Sequence, residues 1–196
     1  SAEKYFRKTL SIDSLNANAL VDIGEMFDDL KKSDSAEKYY QKALLADATY
    51  TTAYYKIGLL LMSQNKADSA EKYFLRTTSI DSSNTALYYF LGVFYNERSK
   101  FDTAEKYYRK SISLDSSYSK SYYDLGALFN NMNKSDSAEK YYRKTLSLDP
   151  ANTNVLYDLG SLLVTELKID SAEKYFRKTL IQDSAFTKAY YFLAAI

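Results

Sequence analysis

Ser137-Ala-Glu-Lys-Tyr-Tyr142 is one of six near-identical hexapeptides that stand 34 residues apart and decide the fold. The copies begin at Ser1, Ser35, Ser69, Thr103, Ser137 and Ser171. All five glycines keep the same interval, at positions 24, 58, 92, 126 and 160. Self-similarity at a fixed period of this length is typical of a solenoid, in which each unit buries its apolar face against its neighbours.

Each unit carries two helical stripes separated by a short polar turn. In residues 17–50 the first stripe consists of Leu20, Ile23, Phe27 and Leu30, and the second of Ala36, Tyr39, Tyr40, Ala43 and Leu44. Spacings of three and four residues place each set on one face of an α-helix. The sequence therefore predicts two helices per unit, which we name helix A and helix B.

Recurring polar residues predict where helix B begins and ends. Asp34, with Glu37 three residues later, resembles a capping box with Asp34 as the cap, and the same pair returns in later units. An aspartate recurs where helix B should end, at positions 13, 47, 81, 115, 149 and 183. The Ser, Ala or Pro that follows it suits a break between two helices. On the outer face, Glu–Arg pairs one turn apart predict ion pairs at 105/109, 139/143 and 173/177.

The residues at fixed places in the unit resemble the tetratricopeptide repeat, or TPR, over the whole chain. With Ala17 as position 1, that family expects a large residue at position 4, Gly at 8, Ala at 20 and an aromatic at 24. Position 20 is Ala at residues 2, 36, 70, 104, 138 and 172, and position 24 is aromatic at residues 6, 40, 74, 108, 142 and 176. Small residues let helices A and B approach closely, and the aromatics fill the space around that contact. The departures are mild: position 4 is never Trp, position 27 is Ala only at Ala43, and position 32 is Pro only at Pro150.

The resemblance implies an all-α fold, a right-handed α-solenoid of helix-turn-helix units that forms a single array over residues 1–196. The expected ranges are 1–16 for helix B of a truncated repeat, 17–50, 51–84, 85–118, 119–152 and 153–186 for five full repeats, and 187–196 for helix A of a truncated repeat. Because the chain lacks an initiator Met and opens and closes within a repeat, we expect it to be a fragment of a longer TPR array.

Composition argues against several classes of function. The chain has no Cys and no His, which removes disulfides, thiolate nucleophiles, the usual zinc sites and imidazole acid–base catalysis. A formal net charge of +1 gives no electrostatic basis for binding nucleic acid or an anionic membrane. No apolar run is long enough for a membrane span, and no signal peptide is visible. We therefore expect no enzyme, cofactor or metal site, and a soluble protein, cytoplasmic by expectation although no signal fixes the compartment.

Helix A varies between units while helix B barely changes, which indicates that helix A carries specificity. In the TPR family helix A lines the concave face, so positions 2, 5, 9 and 12 should look into the groove. The predicted peptide-groove residues are Tyr55, Leu59, Met62, Tyr89, Val93, Asn96, Tyr123, Asn130, Tyr157 and Tyr191. They predict a tyrosine ladder with an apolar patch around Leu59, Met62 and Val93. An acidic N-terminal end is predicted at Asp22, Glu25, Asp28 and Asp29.

Two interpretations of these residues stay open. The tyrosines offer a peptide a large contact area and a hydroxyl, or they stack on neighbouring helices and only fill space. The acidic end either attracts a basic segment of a partner or is a solvated helix face. The Lys and Asn residues with which chaperone-type TPRs grip a C-terminal carboxylate are absent from the matching positions, so that role is not expected.

The resulting prediction is a protein–protein interaction scaffold that binds an unidentified peptide or protein segment in the concave groove. The alternatives are a recruiting or regulatory TPR module of a larger enzyme or sensor, and a structural, self-assembling spacer. Residues 187–196 are heavily apolar, and solenoids normally protect their terminal faces with polar residues. We therefore also expect residues 187–196 to stack head-to-tail on residues 1–14 of another copy.

Overall fold

The computed structural model describes residues 16–195. The predicted helix B at residues 1–16, with its docking segment 1–14, lies outside the described residues except for Asn16, and so does Ile196. Helices follow one another without a strand throughout the described part of the chain. The predicted all-α helical repeat solenoid is confirmed.

The chain divides into two compact units, residues 1–83 and 84–196. In the first unit, α1 to α4 are Ala17–Asp29, Ser33–Ala46, Thr51–Ser63 and Ala67–Ile80. In the second unit, α5 to α11 are Thr85–Asn96, Phe101–Leu114, Ser119–Asn131, Ser135–Leu148, Thr153–Thr165, Ile169–Gln182 and Thr187–Ala195. Odd-numbered helices are helices A and even-numbered helices are helices B. Within residues 16–195 no helix is both long and apolar enough to cross a lipid bilayer.

Helices A and B of one repeat approach most closely at the glycine of helix A. A Cβ atom at Gly126 would lie 2.8 Å from Cδ1 of Tyr142, and a Cβ atom at Gly160 would lie 2.8 Å from Cε1 of Phe176. Any side chain at either glycine would therefore displace a ring that is fully buried. The roles predicted for positions 8 and 24 are confirmed by this contact.

Helix B begins without the predicted capping box. Helix α2 starts at Ser33, after Lys32 as N-cap, and no side chain caps it. Asp34 lies inside the first turn, as do the matching aspartates of α4, α6, α8 and α10. The prediction that Asp34 is the cap is wrong by two residues, because the preceding turn closes early and lets the helix restart at Ser33. In the first turn the carboxylate still complements the positive end of the helix dipole.

A left-handed residue makes that early closure possible. The backbone angle φ lies between 56° and 60° at position 15 of every repeat, at Lys31, Asn65, Ser99, Asn133 and Leu167. The next amide donates to the carbonyl five residues earlier, as from Lys168 N to Leu163 O at 2.9 Å. This is the hydrogen bond of a Schellman motif, which ends helix A.

Helix B ends where predicted, at the recurring aspartate. Asp47, Asp81, Asp115, Asp149 and Asp183 are the C-cap residues of α2, α4, α6, α8 and α10. Oδ1 of Asp115 accepts hydrogen bonds from Ser117 N at 2.8 Å and from Ser117 Oγ at 2.6 Å. These bonds hold the pKa of Asp115 below its ordinary value.

Three helices A begin at an asparagine that the sequence analysis did not single out. Asn16, Asn84 and Asn152 each accept a hydrogen bond through Oδ1 from the amide three residues later, at 2.9, 3.0 and 3.2 Å. The predicted ion pairs on the outer face are confirmed at Arg109–Glu105, Arg143–Glu139 and Arg177–Glu173, with N–O distances of 2.9, 2.6 and 2.6 Å.

Candidate functional site

The tyrosines at position 5 of helix A pack on the buried aromatic of helix B in the same repeat. In the first unit the ring centroids of Tyr55 and Phe74 are 5.9 Å apart. In the second unit the distances are 6.2 Å for Tyr89–Tyr108, 6.2 Å for Tyr123–Tyr142 and 5.8 Å for Tyr157–Phe176. All four tyrosines stay half-buried. Each ring therefore packs against its own repeat and keeps part of its surface open to solvent.

In the second unit two of these tyrosines also bind the next helix A through their hydroxyls. Tyr123 Oη donates to Oδ2 of Asp158 at 2.8 Å, and Tyr89 donates to Asp124 in the same way. In both cases a tyrosine at position 5 meets an aspartate at position 6 of the following repeat. We name these four residues the Tyr–Asp ladder.

The two aspartates of the Tyr–Asp ladder were missed by the sequence analysis. Position 6 lies between the core positions and the predicted groove stripe, so Asp124 and Asp158 were assigned to neither. The available signal was a Tyr followed 35 residues later by an Asp, which occurs at 89/124 and again at 123/158. That interval is one repeat plus one residue.

Burial dominates the electrostatics of the Tyr–Asp ladder. It raises the pKa of Asp124, although the hydrogen bond from Tyr89 and the positive charge of Lys120 act in the opposite direction. Burial raises the pKa of Asp158 too, against the hydrogen bond from Tyr123 and the charge of Lys188. The pKa of each partner tyrosine is raised first by burial and then by the neighbouring carboxylate.

Further aromatic side chains surround the Tyr–Asp ladder within the second unit. The ring of Tyr118 lies 5.5 Å from that of Tyr89. Tyr157 contacts Phe186 at 5.0 Å and Phe192 at 5.8 Å. The ammonium group of Lys188 lies 5.9 Å from the Tyr157 ring centroid. The helices A of this unit therefore present rings and carboxylates together.

The other predicted groove residues differ in exposure. Leu59 and Met62 are half-buried in the first unit, and Val93 and Asn96 are half-buried in the second. Asn130 is exposed, and 73% of the Tyr191 side chain is accessible to solvent. The predicted apolar patch draws on both units and stays a prediction. Among residues 16–195 the most exposed large apolar side chains lie outside the predicted groove, at Leu45, Leu167 and Ile181.

The predicted acidic end is partly neutralised within the first unit. Oε1 of Glu25 forms an ion pair with Nζ of Lys56 at 2.6 Å. Asp22 and Asp29 are exposed and Asp28 is half-buried. Burial, followed by the charge of Glu25, raises the pKa of Asp22. In the described part of the chain no three acidic side chains are arranged to hold a metal ion.

Comparisons with family models match most of the chain to one repeat family. Residues 17–50, 55–119 and 119–152 match models of the tetratricopeptide repeat. A comparison with curated protein sequences found no match.

Several solved structures share the fold. One is MamA, which is 26% identical, with 88% of this chain and 94% of that chain covered and a TM-score of 0.74. Another is YrrB, described as a TPR protein with an unusual peptide-binding site, at 19% identity, with 95% and 96% covered and a TM-score of 0.74. A third is PilF of Pseudomonas aeruginosa, at 19% identity, with 88% and 79% covered and a TM-score of 0.75. At 19% identity the likeness concerns the fold alone.

Proposed function

The chain belongs to the tetratricopeptide repeat family, and on that premise we propose that it is a non-enzymatic scaffold that binds a peptide or protein segment along its helices A. The observation that carries this proposal is the set of half-buried position-5 tyrosines of the second unit, Tyr89, Tyr123 and Tyr157. The ring of each packs against a buried aromatic of helix B in the same repeat. Rings that are already fixed lose little side-chain entropy when a ligand covers them.

The Tyr–Asp ladder supports this function in the second unit. Tyr89 and Tyr123 are held on both sides, by ring packing within the repeat and by hydrogen bonds to the next helix A. Protein interaction surfaces are enriched in aromatic side chains, and a few well-placed polar groups form hydrogen bonds with the partner. YrrB, a TPR protein of the same fold, has a peptide-binding site by its description.

The proposal is tested by blocking this face without disturbing the packing beneath it. Alanine in place of the tyrosines would remove rings that support the repeat, so the informative variant is Asn96→Arg/Asn130→Arg at position 12. The matched control is Ser113→Arg/Ser147→Arg, which adds the same charges to exposed residues of helices B. We expect partners captured from the source lysate by the wild-type chain to be lost by the Asn variant and kept by the Ser variant. If both variants keep the same partners, after thermal melts confirm that they fold, binding does not use this face.

The exposure of α11 favours a second proposal, head-to-tail association of copies. Tyr190 at position 4 is 53% exposed, whereas Tyr88, Tyr122 and Leu156 at the same position of α5, α7 and α9 are 8%, 8% and 3% exposed. Tyr88 and Tyr122 are covered by Tyr107 and Tyr141 of their helices B, with ring centroids 6.2 and 6.4 Å apart. Residues 1–10 repeat the sequence of residues 171–180 letter for letter. Residues 1–14 of another copy therefore carry a helix B sequence that would cover Tyr190.

Sedimentation equilibrium over a range of protein concentrations tests this association. We expect mass to rise with concentration for the wild-type chain and to stay at the monomer value for Tyr190→Glu. Ile181→Glu, another exposed apolar residue of the second unit, should behave like wild type. A wild-type chain that stays monomeric at the highest concentration would contradict head-to-tail association.

A further inference from the structure

We propose that the helix A face of the second unit takes lysine or arginine side chains of the bound segment at two subsites, the carboxylates of Asp124 and Asp158. This inference rests on the proposed function and specifies the chemistry of the partner. The two subsites are successive steps of the Tyr–Asp ladder, so a single extended segment could reach both.

The carboxylates have unused acceptor capacity. Each accepts one tyrosine hydroxyl, from Tyr89 to Asp124 and from Tyr123 to Asp158, whereas an ionised carboxylate offers about four acceptor sites. Both aspartates are half-buried. Among residues 16–195 neither carboxylate lies within 4.0 Å of a Lys or Arg nitrogen. Each carboxylate is therefore held by a tyrosine hydroxyl and forms no direct ion pair within the described part of the chain, although Lys120 and Lys188 act on them from a greater distance.

The surrounding rings suit a cation as well. Tyr89, which donates to Asp124, packs between Tyr108 and Tyr118, at 6.2 and 5.5 Å. Asp124 also helps to raise the pKa of Tyr108 and of Tyr118, although burial is the larger cause in each case. The carboxylate of Asp124 is therefore close enough to both rings to act on their hydroxyls. An ammonium or guanidinium group there would meet the carboxylate and the negative faces of the rings at once.

Two lysines of this face oppose a ligand cation, and their influence is secondary. Lys120 lowers the pKa of Asp124 and Lys188 lowers that of Asp158, but burial outweighs both and leaves each pKa raised. Both lysines are exposed, so solvent screens them more than it screens the carboxylates. A ligand cation in direct contact with the carboxylate would stabilise its ionised form more than these exposed lysines do.

The geometry of the Tyr–Asp ladder also restricts the spacing of the two cationic residues. Packed helices lie about 10 Å apart, and the hydrogen bonds show that consecutive helices A are neighbours here. A polyproline II segment has three residues per turn and rises about 3.1 Å per residue, so residues i and i+3 project on one side about 9 Å apart. The favoured ligand therefore carries Lys or Arg at i and i+3.

The test titrates the full chain with three fluorescein-labelled peptides that differ at two positions only. Each is a proline-rich heptapeptide with Lys, Gln or Glu at positions 2 and 5. We expect the Lys peptide to bind at least about tenfold more tightly than the Gln peptide, since charge-assisted hydrogen bonds are roughly twice as strong as neutral ones. The Glu peptide should bind more weakly than either.

Matched variants locate the effect. Asp124→Asn/Asp158→Asn keeps an acceptor for each tyrosine hydroxyl and should bring the Lys peptide down to the affinity of the Gln peptide. Asp136→Asn/Asp170→Asn removes two exposed carboxylates from helices B and should leave the affinity within about twofold, since distant exposed charges are screened. Lys120→Gln removes a competing charge and should tighten binding of the Lys peptide.

The outcomes separate this inference from the proposed function. Equal binding of the Lys and Gln peptides, or unchanged binding to Asp124→Asn/Asp158→Asn, overturns the cation subsites. If the Gln peptide binds and Asn96→Arg/Asn130→Arg abolishes that binding, the face still recognises peptides and only the charge preference is wrong. If none of the three peptides binds, the inference is also overturned, and partner capture alone then decides the proposed function.

Discussion

The hydroxyl of Tyr123 donates a hydrogen bond of 2.8 Å to Oδ2 of Asp158, which belongs to the next helix A. The same ring packs on Tyr142 of its own repeat, with centroids 6.2 Å apart. Tyr123 thus joins three helices, α7, α8 and α9. The stability of a solenoid is nearly the sum of the stabilities of its single repeats and of the interfaces between adjacent repeats. Tyr123 contributes to both, because it packs within its repeat and binds the next one.

Removing the hydroxyl of Tyr123 should weaken the interface between two repeats. We expect Tyr123→Phe to lower the free energy of unfolding by about 1 kcal/mol, because Asp158 loses its hydrogen-bond donor while it stays half-buried. Denaturant titration followed by circular dichroism measures this loss. Tyr157→Phe is the control, because the described contacts of Tyr157 are made by its ring. Equal losses in the two variants would show that the Tyr123–Asp158 bond contributes nothing specific.

The aspartates of the Tyr–Asp ladder should make stability depend on pH. The pKa values of Asp124 and Asp158 are raised above their ordinary value of 3.8 by burial, so the folded state holds their protons more tightly than the unfolded state. This contribution is fully present below pH 3.8 and is lost as pH rises through the folded-state pKa values.

The pH effect is isolated by comparing wild type with Asp124→Asn/Asp158→Asn. The variant removes only these two titrations, so opposite contributions, such as that of Asp115 with its lowered pKa, cancel in the difference. We expect the variant to gain stability relative to wild type as pH rises from about 3.5 to 7. Urea midpoints at several pH values give this difference, and a difference that does not change with pH would contradict the raised pKa values.

The sequence predicted the helices well because the same constraint recurs in every repeat. Gly126 against Tyr142 is one example, since a small residue and a ring must coincide wherever helices A and B touch. The start of helix B was mispredicted at Asp34. A capping box and a first-turn carboxylate have the same sequence pattern, and the left-handed turn at Lys31 that separates them shows no glycine.

The candidate site was predictable only in part. Tyrosine at position 5 stands out because it recurs. Its half-buried side chain packs against helix B and also keeps part of its surface exposed to solvent. The aspartates were not found, because a pattern within one helix does not reveal a partner in the next repeat. Asp124 directly follows the predicted groove residue Tyr123, but its hydrogen-bond partner Tyr89 lies 35 residues earlier in the sequence. Comparing positions 5 and 6 across adjacent repeats would have found it.

A buried serine pair explains one departure from the family pattern and yields a third prediction. Oγ of Ser111 lies 2.7 Å from Oγ of Ser121, and both residues are fully buried. The equivalent positions in the first unit are Ala43 and Ala53, which are also fully buried. A hydroxyl pair and an alanine pair are therefore alternative solutions at the same place in the repeat.

Single and double substitutions of that pair should be strongly non-additive. Ser111→Ala or Ser121→Ala alone leaves one buried hydroxyl without its partner and should cost about 1–2 kcal/mol of stability. The double variant reproduces the alanine pair and should cost less than either single variant. Denaturant unfolding of all four proteins completes the cycle. Losses that simply add would mean that the two hydroxyls do not depend on each other.

The left-handed residue at the end of α9 is a site where stability can be raised. Leu167 has a φ of 60° and is 83% exposed, so its side chain gains little from packing while its backbone is disfavoured for any residue with a Cβ. We expect Leu167→Gly to raise the free energy of unfolding by about 0.5–1 kcal/mol, and Leu167→Asn to raise it by less.

Ile181→Gly is the matched control, because Ile181 is 78% exposed but lies within the right-handed helix α10. There glycine loses more backbone entropy on folding and relieves no strain. It should lower the free energy of unfolding by about 1 kcal/mol at most, and by less if the end of the helix frays. Thermal and denaturant unfolding of the two variants should therefore shift in opposite directions. A loss of stability in Leu167→Gly as large as that in the control would mean that this turn does not hold Leu167 in the left-handed conformation.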